Sequence, residues 1–409
     1  MANSTELEEN TVAPHTPNRI KKRRRLLLML LTVAILIAAG IFGYYELYGR
    51  YYESTDDAYV NGNLNDISSQ INGTITQVYA EDGDFVKKGQ PLVTLDDNQT
   101  SIALDNAEAN LANVVRQTRG LYSDVDNYRA QVEIKEVNYR QALADYKRRQ
   151  KLAHKGAISV EELNHYRDAL TSAKNELISV KQTLKAKLAL TEGVPIEKHP
   201  AIKSAITKLQ QAYLNQLYTS IKAPVDGYIA QRQAQVGEQV TPATKLMVIV
   251  PLHQVWIDAN FKENQLRDMR IGQSVDITTD LYGDDVHYSG HVESLGIGTG
   301  SAFALLPAQN ATGNWIKIVQ RLPVRIALNS KNLDKYPLRI GLSSYVTVHL
   351  TKNSGPLLSK QPLTKPRFST NIYNNQLESA NHLIAKILTA NGINAEKALK
   401  AVKETNHHE

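Results

Sequence analysis

The sequence predicts an elongated protein of mixed α and β structure. Its expected parts are an N-terminal transmembrane helix, a small β module split into two halves, a long antiparallel α-helical coiled-coil hairpin and a β-barrel domain. Three observations predict this fold class. A basic cluster precedes one long apolar run, a short β pattern occurs twice, and a sustained heptad pattern fills the segment between the two copies.

The segment Leu26–Tyr45 predicts a membrane anchor. It contains about 20 uncharged residues, enough to span a hydrocarbon core of ~30 Å. The basic residues Lys21–Arg25 favour the cytoplasm for the preceding tail, and Tyr48 suits the opposite interface. We therefore expect a cytoplasmic tail at residues 1–25, an anchor at 26–48 and the bulk of the chain outside the inner membrane. The alternative is a cleaved signal peptide, although its apolar run is usually only ~7–15 residues long.

The β pattern runs from Gly73 to Leu95 and again from Gly227 to Ile249. Its glycines indicate turns, and its alternating apolar residues indicate strands that face a core. When the two copies are superimposed, the matching pairs are Gly73 and Gly227, Ile75 and Ile229, Ala80 and Ala234, Gly83 and Gly237, Val86 and Val240, and Leu92 and Leu246.

Between the copies, apolar residues recur in alternating steps of three and four. The period of 3.5 is typical of a coiled coil. The pattern breaks at His154–Ser159, resumes, and after a segment with two prolines continues from Ile202. About 55 residues at 1.5 Å each form a helix of roughly 80 Å. A helical bundle and a homodimeric coiled coil are the alternatives to a hairpin. The first run includes Leu104, Ala107, Leu111, Val114, Thr118, Leu121, Val125, Tyr128 and Val132.

The position of the two β copies favours the hairpin. They stand at the two outer ends of the helical region, and antiparallel helices bring those ends together. The copies must then meet and form one β module into which the hairpin is inserted. We predict an entry strand joining the barrel domain at residues 49–66, the first half of the module at 67–96, the hairpin at 97–220 and the second half at 221–251.

Residues 252–352 alternate apolar and polar side chains between glycine turns, which predicts an antiparallel β-barrel or sandwich. Tyr59 and Val60 are candidates for one further strand. The apolar loop from Gly298 to Trp315 has two interpretations, a surface that faces a partner or a segment folded over its own barrel. Its candidate residues are Phe303, Leu305, Leu306 and Trp315. For residues 353–409 we expect a flexible linker followed by a short helix.

The sequence shows no catalytic constellation, and we expect no enzymatic activity, no cofactor and no metal. Cysteine is absent, which excludes disulfides and thiolate chemistry. His287 and His291 would lie ~13 Å apart on a strand, too far for one ion. The net charge of +6 is concentrated near the N-terminus, so no nucleic-acid surface is expected. A glycine-rich phosphate loop is also missing.

Each half of the split module resembles half of a biotinyl or lipoyl carrier domain. In such carriers the modified lysine lies in the turn that the helical hairpin replaces here. The whole arrangement resembles the membrane fusion proteins, or periplasmic adaptors, of Gram-negative tripartite pumps (the HlyD family). Ser54–Gly62 (STDDAYVNG) is similar to the entry strand of that family, and Ala223–Ile229 (APVDGYI) is similar to its second lipoyl half.

Three further segments narrow the resemblance to the EmrA-type branch of that family. They are Asp258–Val286, Gly298–Ile326 and Pro337–Ser343. The resemblance covers about residues 20–352. It implies an inner-membrane, single-pass protein with its bulk in the periplasm. Members of this branch pair with drug:proton antiporters of the major facilitator superfamily.

The resemblance also implies a contact at the hairpin tip. Many adaptors carry an arginine, a leucine and a serine there, which are thought to bind a TolC-like outer-membrane channel. Arg148, Leu152 and Ser159 have the required spacing. The alternative is local. Arg148 would be a solvated side chain, Leu152 a seam residue, and Ser159 the N-cap of the second helix, with Glu162 completing a capping box.

The expected function is that of an adaptor that forms a ring of copies and joins an inner-membrane exporter to the outer-membrane channel in a multidrug efflux pump. The nearest alternative is the adaptor of a type I protein-secretion system driven by an ABC transporter. A lysine-modified carrier subunit and a coiled-coil scaffold without a transport role are more distant alternatives.

Overall fold

The computed structural model describes residues 18–47, 49–303, 319–351, 354–360, 362 and 364–405. The chain forms two compact units, one from residues 1–64 and 251–366 and the other from residues 65–250 and 367–409. The helices are α1 Asn18–Leu47, α2 Asn98–Ala153, α3 Val160–Leu188, α4 Pro200–Leu217, α5 Gln376–Ala390 and α6 Ala395–Thr405. The strands are β1 Tyr52–Asn61, β2 Asn65–Ser68, β3 Gly73–Val78, β4 Phe85–Val86, β5 Pro91–Leu95, β6 Ser220–Lys222, β7 Gly227–Arg232, β8 Gln239–Val240, β9 Lys245–Val250, β10 Trp256–Lys262, β11 Ser274–Thr279, β12 Gly283–Leu295, β13 Arg321–Leu328 and β14 Ser343–His349.

The helix α1 is apolar on all sides. Its large apolar side chains from Leu26 to Tyr45 are exposed around the whole circumference. The most apolar stretch of 18 residues in the candidate membrane span Lys22–Tyr51 has a mean hydropathy of 2.7, and no part of that stretch is buried against another element. A helix with this distribution has no polar face to turn toward water. Its length and composition therefore suit a single-pass membrane anchor.

The first unit contains a closed barrel of six antiparallel strands in the order β1-β10-β13-β12-β11-β14. The entry strand β1 closes it. Ala58 lies opposite Ala259 of β10, and Thr55 lies opposite Val346 of β14. The register of β1 against β14 shifts between Thr55 and Ala58, as at a β-bulge. The sequence predicted a barrel or a sandwich joined by an entry strand at residues 49–66, and the structure resolves that choice in favour of the barrel.

The barrel interior is filled by alternate residues of its strands, and Tyr288 is the largest side chain among them. The Tyr288 hydroxyl donates a hydrogen bond to the carbonyl oxygen of Tyr336 at 3.0 Å. Burial, together with the neighbouring Tyr282 and Tyr336, raises the pKa of Tyr288 to about 12. Because the neutral phenol is the form that suits this site, the barrel keeps Tyr288 protonated above the ordinary tyrosine range.

In the second unit, the two repeat copies form one β module by exchanging strands. The sheet orders are β2-β9-β7-β4 and β6-β5-β3-β8, so each sheet contains strands of both copies. The same bond occurs twice. The amide of Gly83 donates to the carbonyl of Ile229 at 2.9 Å, and the amide of Gly237 donates to the carbonyl of Ile75 at 2.8 Å. These glycines have φ values of 92° and 86°, a conformation that glycine adopts without strain.

The core of this module contains equivalent residues of both copies. Where a residue of one copy is buried, the matching residue of the other copy is buried as well, because each copy covers the apolar face of the other. The buried pairs are Ile75 and Ile229, Ala80 and Ala234, Val86 and Val240, and Leu92 and Leu246. The repeat detected in the sequence is therefore one folding unit cut in two.

The helices α2 and α3 form the predicted antiparallel hairpin. In α3 and in the part of α2 beyond Gly120, all of which the structure describes, only Val125 and Leu177 are buried. Ion pairs cross the seam between Lys135 and Glu176 at 2.6 Å and between Lys187 and Asp124 at 2.8 Å. The hydrogen bond to Asp124 raises the pKa of Lys187. The outer hairpin is thus held by a narrow seam with polar crossings.

The C-terminal segment differs from the expected linker and single short helix. It contains two helices, α5 and α6, which pack on α2 and α4 at the inner end of the hairpin. Their amphipathic pattern was visible in the sequence, but its partner surface lies hundreds of residues away. We call the shared apolar cluster the hairpin root. It consists of Leu104, Leu111, Val115, Ile202, Ala205, Ile206, Leu209, Ile384, Leu388, Ile393, Ala398 and Val402.

Replacement of Tyr288 by phenylalanine tests the barrel core. The change leaves the carbonyl of Tyr336 without its buried donor, and we expect a loss of about 1 kcal/mol in the free energy of unfolding at neutral pH. The raised pKa stabilises the folded wild type fully below pH ~10, and this contribution is lost between pH ~10 and 12. The stability gap between wild type and Tyr288→Phe should therefore shrink across that interval. Denaturant unfolding at a series of pH values measures it, and a constant gap would contradict the assignment.

Candidate partner-contact sites

The hairpin tip is shaped by two local signals at the end of α2 and the start of α3. Gly156, with φ of 69°, follows α2, and the amide of Ala157 donates to the carbonyl of Leu152 at 3.0 Å. This is a Schellman arrangement, which ends a helix and reverses the chain. Ser159 then caps α3, since its Oγ accepts a hydrogen bond from the amide of Glu162 at 3.1 Å.

All three residues of the predicted channel contact lie at this tip. Arg148 is 69% exposed and pairs with Asp145 one turn earlier on the same helix. Leu152 is 39% exposed, so it does not simply close the seam. Ser159 is exposed, and its oxygen is engaged as a helix cap. The structure brings the triad to one end of the hairpin and leaves the arginine and the leucine accessible.

The neighbouring Arg149 has a different environment. Its guanidinium lies 3.4 Å from the carboxylate of Glu162 and 5.0 Å from the ring centre of Tyr166, both on α3. Glu162 therefore pairs across the hairpin instead of completing the capping box that its spacing suggested. Arg149 continues the alternating steps of three and four that run from Leu104 along the first helix, which predicts a position in the seam. The choice of its partner depended on how the two helices meet. Arg149 therefore links the two helices at the tip, whereas Arg148 is exposed and pairs only with Asp145 on its own helix among the ion pairs of the described residues.

The tip also carries a net positive charge and exposed apolar side chains. Lysines and arginines outnumber carboxylates between Asp145 and Glu162. Val160, which the sequence reasoning did not single out, is exposed in the first turn of α3. The sequence signal that could have identified Val160 is its place directly after the N-cap Ser159, where an apolar side chain has no seam position to fill. A surface of this composition can bind backbone carbonyls and carboxylates while it buries a small apolar contact.

The barrel loop is the second predicted contact site. Phe303 is 74% exposed and packs against the backbone at Gly298, where an added Cβ would lie 2.6 Å from its ring. Ile297 and Val319 are also exposed on the two sides of the loop. The other candidates, Leu305, Leu306 and Trp315, lie outside the described residues. The described flanks thus expose apolar side chains.

Within the part of the chain that the structure describes, no group of three histidine, aspartate or glutamate side chains is close enough to hold a metal ion. His287 and His291 lie on the single strand β12. Asp57 forms an ion pair with Arg321 of β13 and accepts a hydrogen bond from the side-chain amide of Asn260 at 3.2 Å. It therefore links strands of the barrel wall.

Two family models match the chain. One is described as the EMRA alpha-helical hairpin domain and matches residues 98–219, and the other is described as the AAEA-like beta-barrel domain and matches residues 254–349. The multidrug export protein EmrA of Escherichia coli K12 is 46% identical over 355 residues, which cover 87% of this chain and 90% of that protein. The chain belongs to the EmrA family of membrane fusion proteins.

Other relatives of this EmrA-family chain carry related names. The probable multidrug resistance protein EmrK of E. coli K12 is 45% identical over 88% of this chain and 94% of its own length. The fatty acid resistance protein FarA of Neisseria gonorrhoeae is 45% identical over 75% of this chain and 78% of its own. A solved structure of the periplasmic adaptor protein EmrA is similar with a TM-score of 0.37 and 18% identity, over 73% of this chain and 99% of that one.

The two family models coincide with the structural elements of this chain. The hairpin model begins at the start of α2 and ends just beyond α4. The segment between α3 and α4, residues 189–199, and α4 itself therefore belong to the hairpin domain. The barrel model spans β10 to β14, while β1 lies outside it in the sequence. Neither model includes α5 and α6.

Variants of Ser159 test the cap at the tip of this EmrA-family hairpin. Ser159→Ala removes the acceptor for the amide of Glu162 and should cost about 1 kcal/mol at the start of α3. Ser159→Asp keeps an acceptor and places a negative charge at the helix N-terminus, so it should retain the wild-type value. Hydrogen exchange of the amides from Val160 to Leu163 measures the difference. Equal exchange in the alanine and aspartate variants would contradict the cap.

Proposed function

We propose that this EmrA-family chain is the periplasmic adaptor subunit of a multidrug efflux pump. The observation that carries the proposal is its 46% identity to the E. coli multidrug export protein EmrA over nearly the full length of both chains. The relatives named for resistance to drugs and fatty acids support export of small amphiphilic molecules over protein secretion. The alternative of a type I secretion adaptor is therefore the weaker one.

The proposed topology follows from α1. The basic cluster before it holds the N-terminus in the cytoplasm, and the helix anchors the chain in the inner membrane. The β module, the hairpin and the barrel would then lie in the periplasm. The complete absence of cysteine suits an oxidising compartment, since no thiol is present to mispair.

The proposed partners are an inner-membrane major facilitator antiporter and a TolC-like outer-membrane channel. The exposed apolar flanks of the barrel loop, including Phe303, support a docking surface for the exporter. The basic and apolar hairpin tip supports a docking surface for the channel, with Arg148 and Leu152 as its accessible members. Copies of the chain would surround the transport path as a ring.

Site-specific photocrosslinking tests both docking surfaces in intact cells. A photoreactive residue at Leu152 should capture the outer-membrane channel, and one at Phe303 should capture the antiporter. A photoreactive residue at Asn138, which is exposed on α2 between the root and the tip of the hairpin, serves as the matched control and should capture neither partner. Capture of an ABC exporter at position 303 would favour the secretion alternative. Absence of both partners from an exported, folded protein would contradict the adaptor proposal.

The two tip arginines should respond differently to alanine. Arg148→Ala removes an exposed cation whose ion pair with Asp145 contributes only ~0–1 kcal/mol, so the stability of the protein should stay unchanged. Because the same change removes a proposed contact to the channel, drug resistance should fall several-fold. Arg149→Ala removes the contacts to Glu162 and Tyr166 and should loosen the tip itself.

Minimum inhibitory concentrations and thermal unfolding of the same variants separate the two effects. Arg140→Ala, at an exposed position further down α2, is the control for loss of a positive charge. A resistance level for Arg148→Ala equal to that of Arg140→Ala would exclude a specific role for Arg148.

A further inference from the structure

The hairpin root is more completely buried than two packed helices can achieve alone. Leu111, Val115, Ile206 and Leu209 of α2 and α4 have no exposed surface. A pair of helices leaves the outer part of each apolar face in contact with water. Here α5 covers α2 and α4 together, and α6 covers α4 and the short turn Ile196–Lys198. The C-terminal helices therefore form the third layer of the root.

Polar contacts fix how this layer sits. The Nη1 of Arg119 on α2 donates to the carbonyl of Asn391 at 2.8 Å, just beyond the end of α5. The Nε2 of Gln210 on α4 donates to the Oδ1 of Asn381 on α5 at 3.0 Å. A guanidinium at a helix C-terminus is favourable, because it meets unpaired carbonyls and the negative end of the helix dipole.

The turn after α5 is built for this contact. Gly392 has φ of 75°, and the amide of Ile393 donates to the carbonyl of Leu388 at 3.0 Å, a Schellman arrangement. Ile393 and Leu388 are both buried in the root. A side chain at position 392 would come within 2.9 Å of Arg119 Nη1. The turn thus has both the local conformation and the clearance that the arginine requires.

The segment before α5 is also attached to the same unit. The hydroxyl of Thr370 donates to the carbonyl of Pro224 at 2.7 Å, at the start of the second half of the β module. The C-terminal segment therefore contacts the β module and the inner end of the hairpin that emerges from it. In contrast, the outer hairpin buries only Val125 and Leu177 beyond Gly120.

We propose that residues 367–405 form a brace that docks in cis on the hairpin root and holds the root rigid while the outer hairpin stays adaptable. Its value to export rests on the proposed adaptor function, since a tip that must meet a partner needs a fixed base. The brace itself is a property of the folded chain. It can therefore be tested without any transport measurement.

Cross-linking tests the docking in the full-length chain, which has no cysteine of its own. The double substitution Gln210→Cys with Asn381→Cys, treated with a short bismaleimide, should give an intramolecular link in high yield. Gln210→Cys with His382→Cys is the matched control, because the side chain of His382 is exposed, and it should link poorly. A link between two copies of the chain would show that the C-terminal helices dock on a neighbouring copy, and it would overturn the docking in cis. A yield equal to the control would overturn the docking.

Hydrogen exchange tests the mechanical role. Leu388→Ala should accelerate exchange of the amides of α2 between Leu104 and Val115 by roughly 30-fold or more, because a buried leucine is lost from a layer that protects them. Exchange in the barrel strands should stay unchanged. The surface variant Lys386→Ala on α5 is the control. Acceleration below about 3-fold at the root would contradict the brace.

Drug resistance then separates the brace from the adaptor proposal. If the root loosens in Leu388→Ala and resistance falls while the protein level is kept, the brace is needed for export. Restoration of resistance by cross-linking positions 210 and 381 in the same variant would support a purely mechanical role. A loosened root with unchanged resistance would overturn the need for a rigid root but leave the adaptor function standing.

Discussion

The exchange of strands between the two β repeats is the interaction on which the rest of the hairpin unit depends. Neither copy can close a core alone, because each supplies strands to both sheets. The matched bonds from Gly83 to Ile229 and from Gly237 to Ile75 tie the copies together. An added Cβ at Gly227 would lie 2.7 Å from the carbonyl oxygen of Val250, so this packing has little tolerance. Because one copy precedes the helical region and the other follows it, their pairing brings the two inner ends of the hairpin together. It thereby fixes where the chain leaves the β module and where it returns to it.

From this base outward, the hairpin changes in character. The root is an apolar cluster of α2, α4, α5 and α6, whereas the shaft is held by a thin seam and by ion pairs such as Lys135 with Glu176. Exposed ion pairs contribute little free energy, and buried apolar area contributes much more. Stability is therefore concentrated at the root. A long hairpin with this distribution can adjust along its shaft while its base stays in place.

Two adjacent arginines at the tip have different environments. Arg149 faces α3 and contacts Glu162 and Tyr166, while Arg148 points outward beside the exposed Leu152. Membership of the EmrA family gives this surface a proposed purpose, the recognition of an outer-membrane channel. The barrel loop around Phe303 is the counterpart proposed for the inner-membrane exporter. A structural pair and an exposed pair with a proposed contact role can thus share one short segment.

The sequence by itself determined the apolar N-terminal helix, the repeat, the hairpin and the location of the tip. These follow from short-range patterns, since apolar length, a 3.5-residue period and glycine turns act through neighbours in the chain. It also placed Arg148, Leu152 and Ser159 at one site, whereas Leu305, Leu306 and Trp315 remain sequence predictions. Only the tertiary structure decided that β1 pairs with both β10 and β14, that Glu162 pairs with Arg149, and that α5 and α6 cover the hairpin root. An amphipathic or alternating pattern states which face is buried, but the partner is chosen by surfaces far away in the sequence, which meet only when the whole chain folds.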